Sequence, residues 1–196
     1  VGNSLTDETW YDDAGNVIKS HAGGTEQFSK TAYDGLGHTT AQYVGFDTDE
    51  STYGEADDVT GDTLFTQTEF DYNDAGQTIF VSSRQRLNDA TGTGTLNGPS
   101  GNQPKSRDSY TASWYDEVGR QTETANYGTN GGSNLTDYDP ATSGTQDYTA
   151  GPPAPNSHDN VIVSKTVYGE AGRAIKTIDN AGMVTKRHHD ALGRVT

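Results

Sequence analysis

Trp114-Tyr-Asp-Glu-Val-Gly-Arg120 is the stretch that decides the fold, because its pattern recurs along the chain without gaps. The other copies are Tyr11-Asp-Asp-Ala-Gly-Asn16, Tyr33-Asp-Gly-Leu-Gly-His38, Tyr72-Asn-Asp-Ala-Gly-Gln77, Tyr168-Gly-Glu-Ala-Gly-Arg173 and His189-Asp-Ala-Leu-Gly-Arg194, with a weaker one at Ile178-Asp-Asn-Ala-Gly-Met183. The order is aromatic, turn former, any residue, small apolar, glycine, long polar residue. An Asp or Asn side chain accepts a backbone N–H two residues on and closes a tight turn. The residue that ends such a turn often needs positive φ, which Gly15, Gly37, Gly76, Gly119, Gly172 and Gly193 adopt without a Cβ clash. The tyrosine then ends one strand and the residues after the glycine begin the next. Each copy therefore predicts a β-hairpin with a four-residue turn.

Spacing extends this reading to the whole chain. Tyr11 and Tyr33 are 22 residues apart and Tyr168 and His189 are 21 apart, enough for two turns and two strands of about six residues. The other intervals are 39, 43 and 53 residues. They include stretches near 45–64, 87–108 and 128–160, rich in Gly, Asn, Ser, Thr, Asp and Pro, which are expected to be long surface loops. The intervening strands carry Thr, Val, Ile, Tyr and Gln with imperfect alternation, as in Arg173-Ala-Ile-Lys-Thr-Ile178. A sheet with one modest apolar face fits them. The expected fold is all-β over residues 1–196: antiparallel hairpins in series, each stabilised mainly by its neighbours. Both ends fall inside patterned sequence, so the chain is expected to be an excerpt of a longer protein, with raw sheet edges and little stability alone.

Composition narrows the function classes. Hydrophobic residues make up 30% of the chain, while Gly numbers 24 and Tyr 11, which suits a thin, wet β structure better than a thick core. A net charge of −15 repels phosphate backbones and anionic membrane surfaces, so neither nucleic acid nor membrane insertion by this segment is expected. With no cysteine, neither a disulfide framework nor a thiolate metal site can form.

The six recurring Tyr-Asp-x-x-Gly-Arg-like segments resemble the YD repeat of bacterial Rhs proteins, which is related to repeats of insecticidal toxin complex shells and of teneurin cell-surface proteins. The closest local matches are Trp114–Arg120 and His189–Arg194. The resemblance implies a coiled β-sheet shell, secreted or on the cell surface, that encloses a C-terminal toxic polypeptide or serves as a scaffold for adhesion. Its partners would be the rest of the same polypeptide and, in an adhesin, cell-surface glycans. The family's self-cleaving core is not matched: Asp139-Pro140 is followed by Ala-Thr-Ser-Gly.

Catalysis is not expected, since turn closure accounts for most carboxylates, and no cofactor is implied. Asp47, Asp49, Glu50, Glu55, Asp57, Asp58 and Asp62 crowd the first insertion with no Lys or Arg between Val44 and Leu64. An EF-hand calcium loop needs Gly at its sixth position, which counted from Asp47 is Thr52, so a solvated acidic loop is expected. Among the histidines His21, His38, His158, His188 and His189, the last occupies a tyrosine position of the repeat and no metal set is expected. Asn134-Leu-Thr136 is a lone glycosylation triplet. Trp10 and Trp114 directly precede a tyrosine and are expected to lie exposed on the opposite face, where they are the candidates for stacking on sugar rings.

Overall fold

The computed structural model describes residues 5–48, 51–129 and 161–196. Its strands are β1 (Glu8–Tyr11), β2 (Val17–His21), β3 (Gln27–Tyr33), β4 (Thr39–Phe46), β5 (Thr63–Tyr72), β6 (Thr78–Arg86), β7 (Ser106–Tyr115), β8 (Gln121–Gly128), β9 (Ile162–Tyr168), β10 (Ala174–Ile178) and β11 (Val184–Lys186), with a single helical turn, α1 (Tyr53–Asp57). They form one open antiparallel meander in which each strand neighbours the next in sequence, the all-β serial-hairpin architecture read from the repeat. No helix among the described residues is long and apolar enough to cross a membrane. The third insertion, near 128–160, and with it His158 and Asn134, lies outside the described residues apart from its first positions.

The copies from Tyr11 to Ile178 each sit between two strands, and the His189 copy, beyond β11, is closed by an isolated bridge between His189 and Val195; the turn bonds define the bend more closely than the sequence did. Gly15 N–H donates to Asp12 O (3.0 Å), and Asp12 N–H then pairs with Asn16 O (2.9 Å). The loop proper is therefore three residues long and ends on a left-handed glycine, a common hairpin form. Gly37, Gly76, Gly119, Gly172 and Gly193 repeat the arrangement with φ between 73° and 85°, and the weak copy follows it at Gly182. Beyond the turn the return strand carries one extra residue. Tyr11 pairs with Val17 but Trp10 with Lys19, leaving Ile18 over. The same shift recurs at Ala32/Tyr33, at Trp114/Tyr115 and at Ala174/Lys176. Such bulges bend the strand and raise its local twist.

The described residues fall into two compact units, one within Val1–Asp71 and Ser82–Ser109, the other within Tyr72–Val81, Tyr110–Gly131 and Leu135–Thr196. In the second, Phe80, Tyr110, Ala112, Ala125, Tyr127 and Val163 form the core, with the Phe80 and Tyr110 rings stacked at 5.9 Å. Burial alternates strictly along β8, where Glu123, Ala125 and Tyr127 face inward. In the first unit Phe28, Leu64 and Leu96 pack together, flanked by Tyr43 and Val59. Leu64, at 0% exposure, faces Gly45 of β4, where a Cβ would come within 2.7 Å of the Thr63 carbonyl, so strand approach requires glycine there.

Two of the stretches expected to be surface loops are instead partly folded onto the sheet. The first insertion forms α1, closed by a capping box in which the Thr52 hydroxyl accepts Glu55 N–H while the Glu55 carboxylate accepts Thr52 N–H. The second delivers Leu96, 1% exposed, into the apolar cluster, and its Gly94 N–H bonds to Asp62 O (2.8 Å) of the first. Polar sequence conceals this packing because each insertion contributes only one or two apolar side chains, Ala56 and Leu96 among them, and satisfies its backbone with polar partners.

Candidate functional site

The recurring feature of both units is the joint between successive hairpins, and it begins with the turn aspartate. Asp116 Oδ1 accepts the N–H groups of Val118 (3.1 Å) and Arg120 (2.9 Å), while its Oδ2 takes the Arg120 Nε (2.7 Å). Asp12 does the same with Ala14, Asn16 and the Asn16 amide, Asp34 with Leu36, His38 and the His38 ring, and Asp190 with Leu192 and Arg194. Donors converging on an ionised carboxylate favour the charged form. The side chains of Asn16, His38 and Arg120 are the leading reason that Asp12, Asp34 and Asp116 lie below the ordinary 3.8, and the Arg194 backbone N–H leads at Asp190.

A folded-state value below the unfolded one gives stability that is present above about pH 4 and lost as pH falls through the lowered value. Asn73 already performs the turn function without titrating, accepting Ala75 and Gln77 N–H at 3.0 Å each. Changing Asp12, Asp34, Asp116 and Asp190 together to Asn is therefore expected to keep the hairpins at pH 7 and to flatten the loss of thermal stability as pH falls below about 4. Melting curves showing the same acid slope in both proteins would refute this account of the turns.

The sixth position of the motif, left without a role by the sequence, joins one hairpin to the next. Gln77 Nε2 donates to the Gly119 carbonyl (2.7 Å), 42 residues on. A Cβ at Gly119 would meet Gln77 Nε2 at 3.1 Å, one at Gly172 would meet Arg120 Nη1 at 3.5 Å, and one at Gly193 would meet Arg173 Nη2 at 2.5 Å. At Gly119, Gly172 and Gly193 the turn glycine thus has two jobs, taking positive φ and leaving room for the long side chain of the preceding repeat, whereas a Cβ at Gly15 or Gly37 would meet nothing within 4 Å. Only the first is visible in a single motif.

The tyrosine faces the other way along the same joint. The hydroxyl of Tyr33 donates to Val17 O (3.1 Å), that of Tyr115 to Thr78 O (2.8 Å) and that of Tyr168 to Gln121 O (2.9 Å). Each acceptor is the first residue after the preceding motif. Arg120, already bonded to Asp116, also lies over the Tyr168 ring at 4.5 Å from its centroid. A neutral hydrogen bond of this kind contributes about 1 kcal/mol and an exposed cation–π contact about 0.5–1 kcal/mol. The tyrosine bond recurs at three joints and the cation–π contact adds to it at one, and these terms help set the register of one hairpin on the next.

The tryptophans differ from expectation: neither Trp10 nor Trp114 is fully exposed. Trp114 packs against the second unit's core and lines a pocket of about 300 Å³ with Asn73, Gln77, Tyr115 and Glu117. Its half-burial follows from strand position, since the face opposite Tyr115 is the covered face of β7. Within that pocket the Asn73 and Gln77 amides bond to each other (3.0 Å) and Gln77 to Gly119, so they serve the joint.

The acidic insertion is solvated as expected at Glu55, Asp57 and Asp58, Asp49 and Glu50 lie outside the described residues, and Asp62 is the buried exception. Lys30, reaching across from β3, places its amine 2.7 Å from Asp62 Oδ2 and 2.6 Å from the carbonyls of both Glu55 and Asp58, with the Phe28 ring centroid at 4.7 Å. Both side chains of this ion pair are 3% exposed. Glu55 is committed to its cap, and Asp58 accepts Thr60 N–H at 2.7 Å. A second charged group links Arg84 to Glu69 and to the buried Asp108, which also accepts the Ser106 hydroxyl. Among the described residues no group of three or more His, Cys, Asp or Glu side chains is placed to hold a metal ion. His21 contacts the Thr25 carbonyl and His38 the Asp34 carboxylate, while His188 and His189 line a separate groove with Arg187 and Lys186. No family model matches this chain, and no curated protein matches it significantly.

Proposed function

We propose that the chain is a structural wall segment of a large YD-repeat polypeptide of the Rhs type, secreted or displayed at a bacterial surface, whose hairpins build a β-shell around or beneath a toxic polypeptide. The segment acts by scaffolding and carries out no chemistry of its own. One observation carries this reading. A hairpin such as Tyr115–Gln121 holds both halves of the joint: a carbonyl and a long side chain for the hairpin that follows, and a tyrosine and a glycine for the one that precedes. A unit built this way adds copies along a ribbon, as in other repeat proteins stabilised by nearest neighbours. A bulge recurs after the turns and bends the strand locally, which favours a curved wall over a flat sheet. The runner-up is a glycan-binding adhesin module, favoured by the half-buried Trp114 at its pocket.

Both are tested on the full-length polypeptide with its flanking sequence intact. Electron microscopy is expected to show a hollow particle whose C-terminal portion resists protease until the wall is opened. A solid or extended particle with an accessible C-terminus would overturn the wall reading. Specific capture of the same preparation on a glycan array, abolished by Trp114→Ala, would move the assignment to the adhesin.

A further inference from the structure

Six of the chain's 13 Lys and Arg residues fall in 161–196 beside only three carboxylates, so this segment is positive in a chain of net charge −15. Four of those cations meet in one place. Arg173, Lys176, Lys186 and Arg187 line a groove of about 450 Å³ together with Ile175, His188, His189 and a single carboxylate, Glu170. Lys176 of β10 stands directly opposite Lys186 of β11 in the antiparallel register, which puts both side chains on the same face. Like charges paired this way destabilise a sheet. Among the described residues none of the four has an ion-pair partner, whereas Lys165 nearby pairs with Glu123 at 3.1 Å.

Lysine on an edge strand discourages unwanted pairing, and that accounts for Lys186. Arg173 rests on Gly193 at the joint, which leaves unexplained why the facing residue of the inner strand is also lysine, with Arg187 beside it. We infer that the groove between β10 and β11 binds a small, multiply charged tetrahedral oxyanion, a phosphate or sulfate group, held between Lys176 and Lys186 and by the guanidinium of Arg187. Such a group offers several acceptor oxygens to donors arriving from both strands, and an arginine fork matches two of them. It also cancels the repulsion built into the lysine pair. Size follows from charge: 25 of the chain's 28 Asp and Glu residues lie outside 161–196 and repel an extended polyanion that runs more than a Debye length of about 8 Å beyond the groove, so a compact anion is favoured over a polymer.

Isothermal titration calorimetry on the whole chain, with inorganic pyrophosphate, phosphate and sulfate at ionic strength matched by sodium chloride, tests this. Saturable binding is expected, weakened about tenfold by Lys176→Gln and by Lys186→Gln, since each removes one charged donor. Neither variant is expected to melt lower than wild type in chloride, because each relieves a like-charge pair, so a loss of binding is not a loss of fold. Equal response to sulfate and phosphate assigns a tetrahedral anion in general, and response to the phosphates alone assigns a phosphate group. Heat no greater than in chloride, binding unchanged by both substitutions, or binding to polyglutamate alone would each overturn the site.

Discussion

Replacing Lys30 with methionine is expected to cost the first unit about 3–5 kcal/mol, read as a lower urea midpoint. The substitution keeps the aliphatic stem against Phe28 and removes only the charge. Asp62, 3% exposed, is then a buried carboxylate with its cation gone, and the Glu55 and Asp58 carbonyls lose their donor together. Desolvation makes such an orphan far more costly than the net contribution of the intact pair. The double change Lys30→Met with Asp62→Leu removes both charges and is therefore expected to recover a large part of the loss. Digestion should show where the damage falls, with the insertion at 51–62 cut faster in the single variant than in the double. A single variant that unfolds within about 0.5 kcal/mol of wild type would mean that the amine holds nothing down.

Leu96→Ala is expected to cost about 2–5 kcal/mol, comparable to other large-to-small changes in closed cores. Leu96 belongs to the second insertion, 29 residues from Gln67, whose side-chain oxygen accepts the Leu96 N–H at 2.8 Å. Its side chain completes the cluster with Phe28 and Leu64, all three at 2% exposure or less. Truncation opens a void bounded by the sheet on one side, and the backbone bond to Gln67 resists the collapse that would fill it. Thr93, exposed three residues earlier, is the control, and Thr93→Ala should stay within about 0.5 kcal/mol. Equal small effects at both positions would return the insertion to the status of a surface loop.

These two residues show why the packing of the insertions is hidden in their local sequence. Over 45–64 the local signal is seven carboxylates without a cation, and a solvated loop is the natural inference from that window. The cation comes from position 30, on a strand whose covered face reads Phe28, Lys30 and so looks imperfectly alternating. The same obstacle recurs at Asp108 and Glu123, buried charges at inward positions of β7 and β8. Period-two burial is present in the structure, but polar residues with distant partners occupy enough of the inward positions to blur it in the sequence. Trp114 follows the same logic: alternation puts it opposite Tyr115, but which face is covered depends on Phe80 and Val163, far away in the chain.

Determined by sequence alone were the hairpins, their order and the glycines that end their turns, because an aspartate-closed bend is settled by bonds spanning four residues or fewer and a meander joins strands already adjacent in the chain. The tertiary structure alone decided which face of the strands is covered, that a lysine and a leucine draw two polar insertions onto the sheet, and that in the second unit the sixth residue of one repeat rests on the glycine of the next. Those contacts span from about 20 to more than 40 residues, and a pairing over such distances leaves no periodic trace in either partner's own neighbourhood.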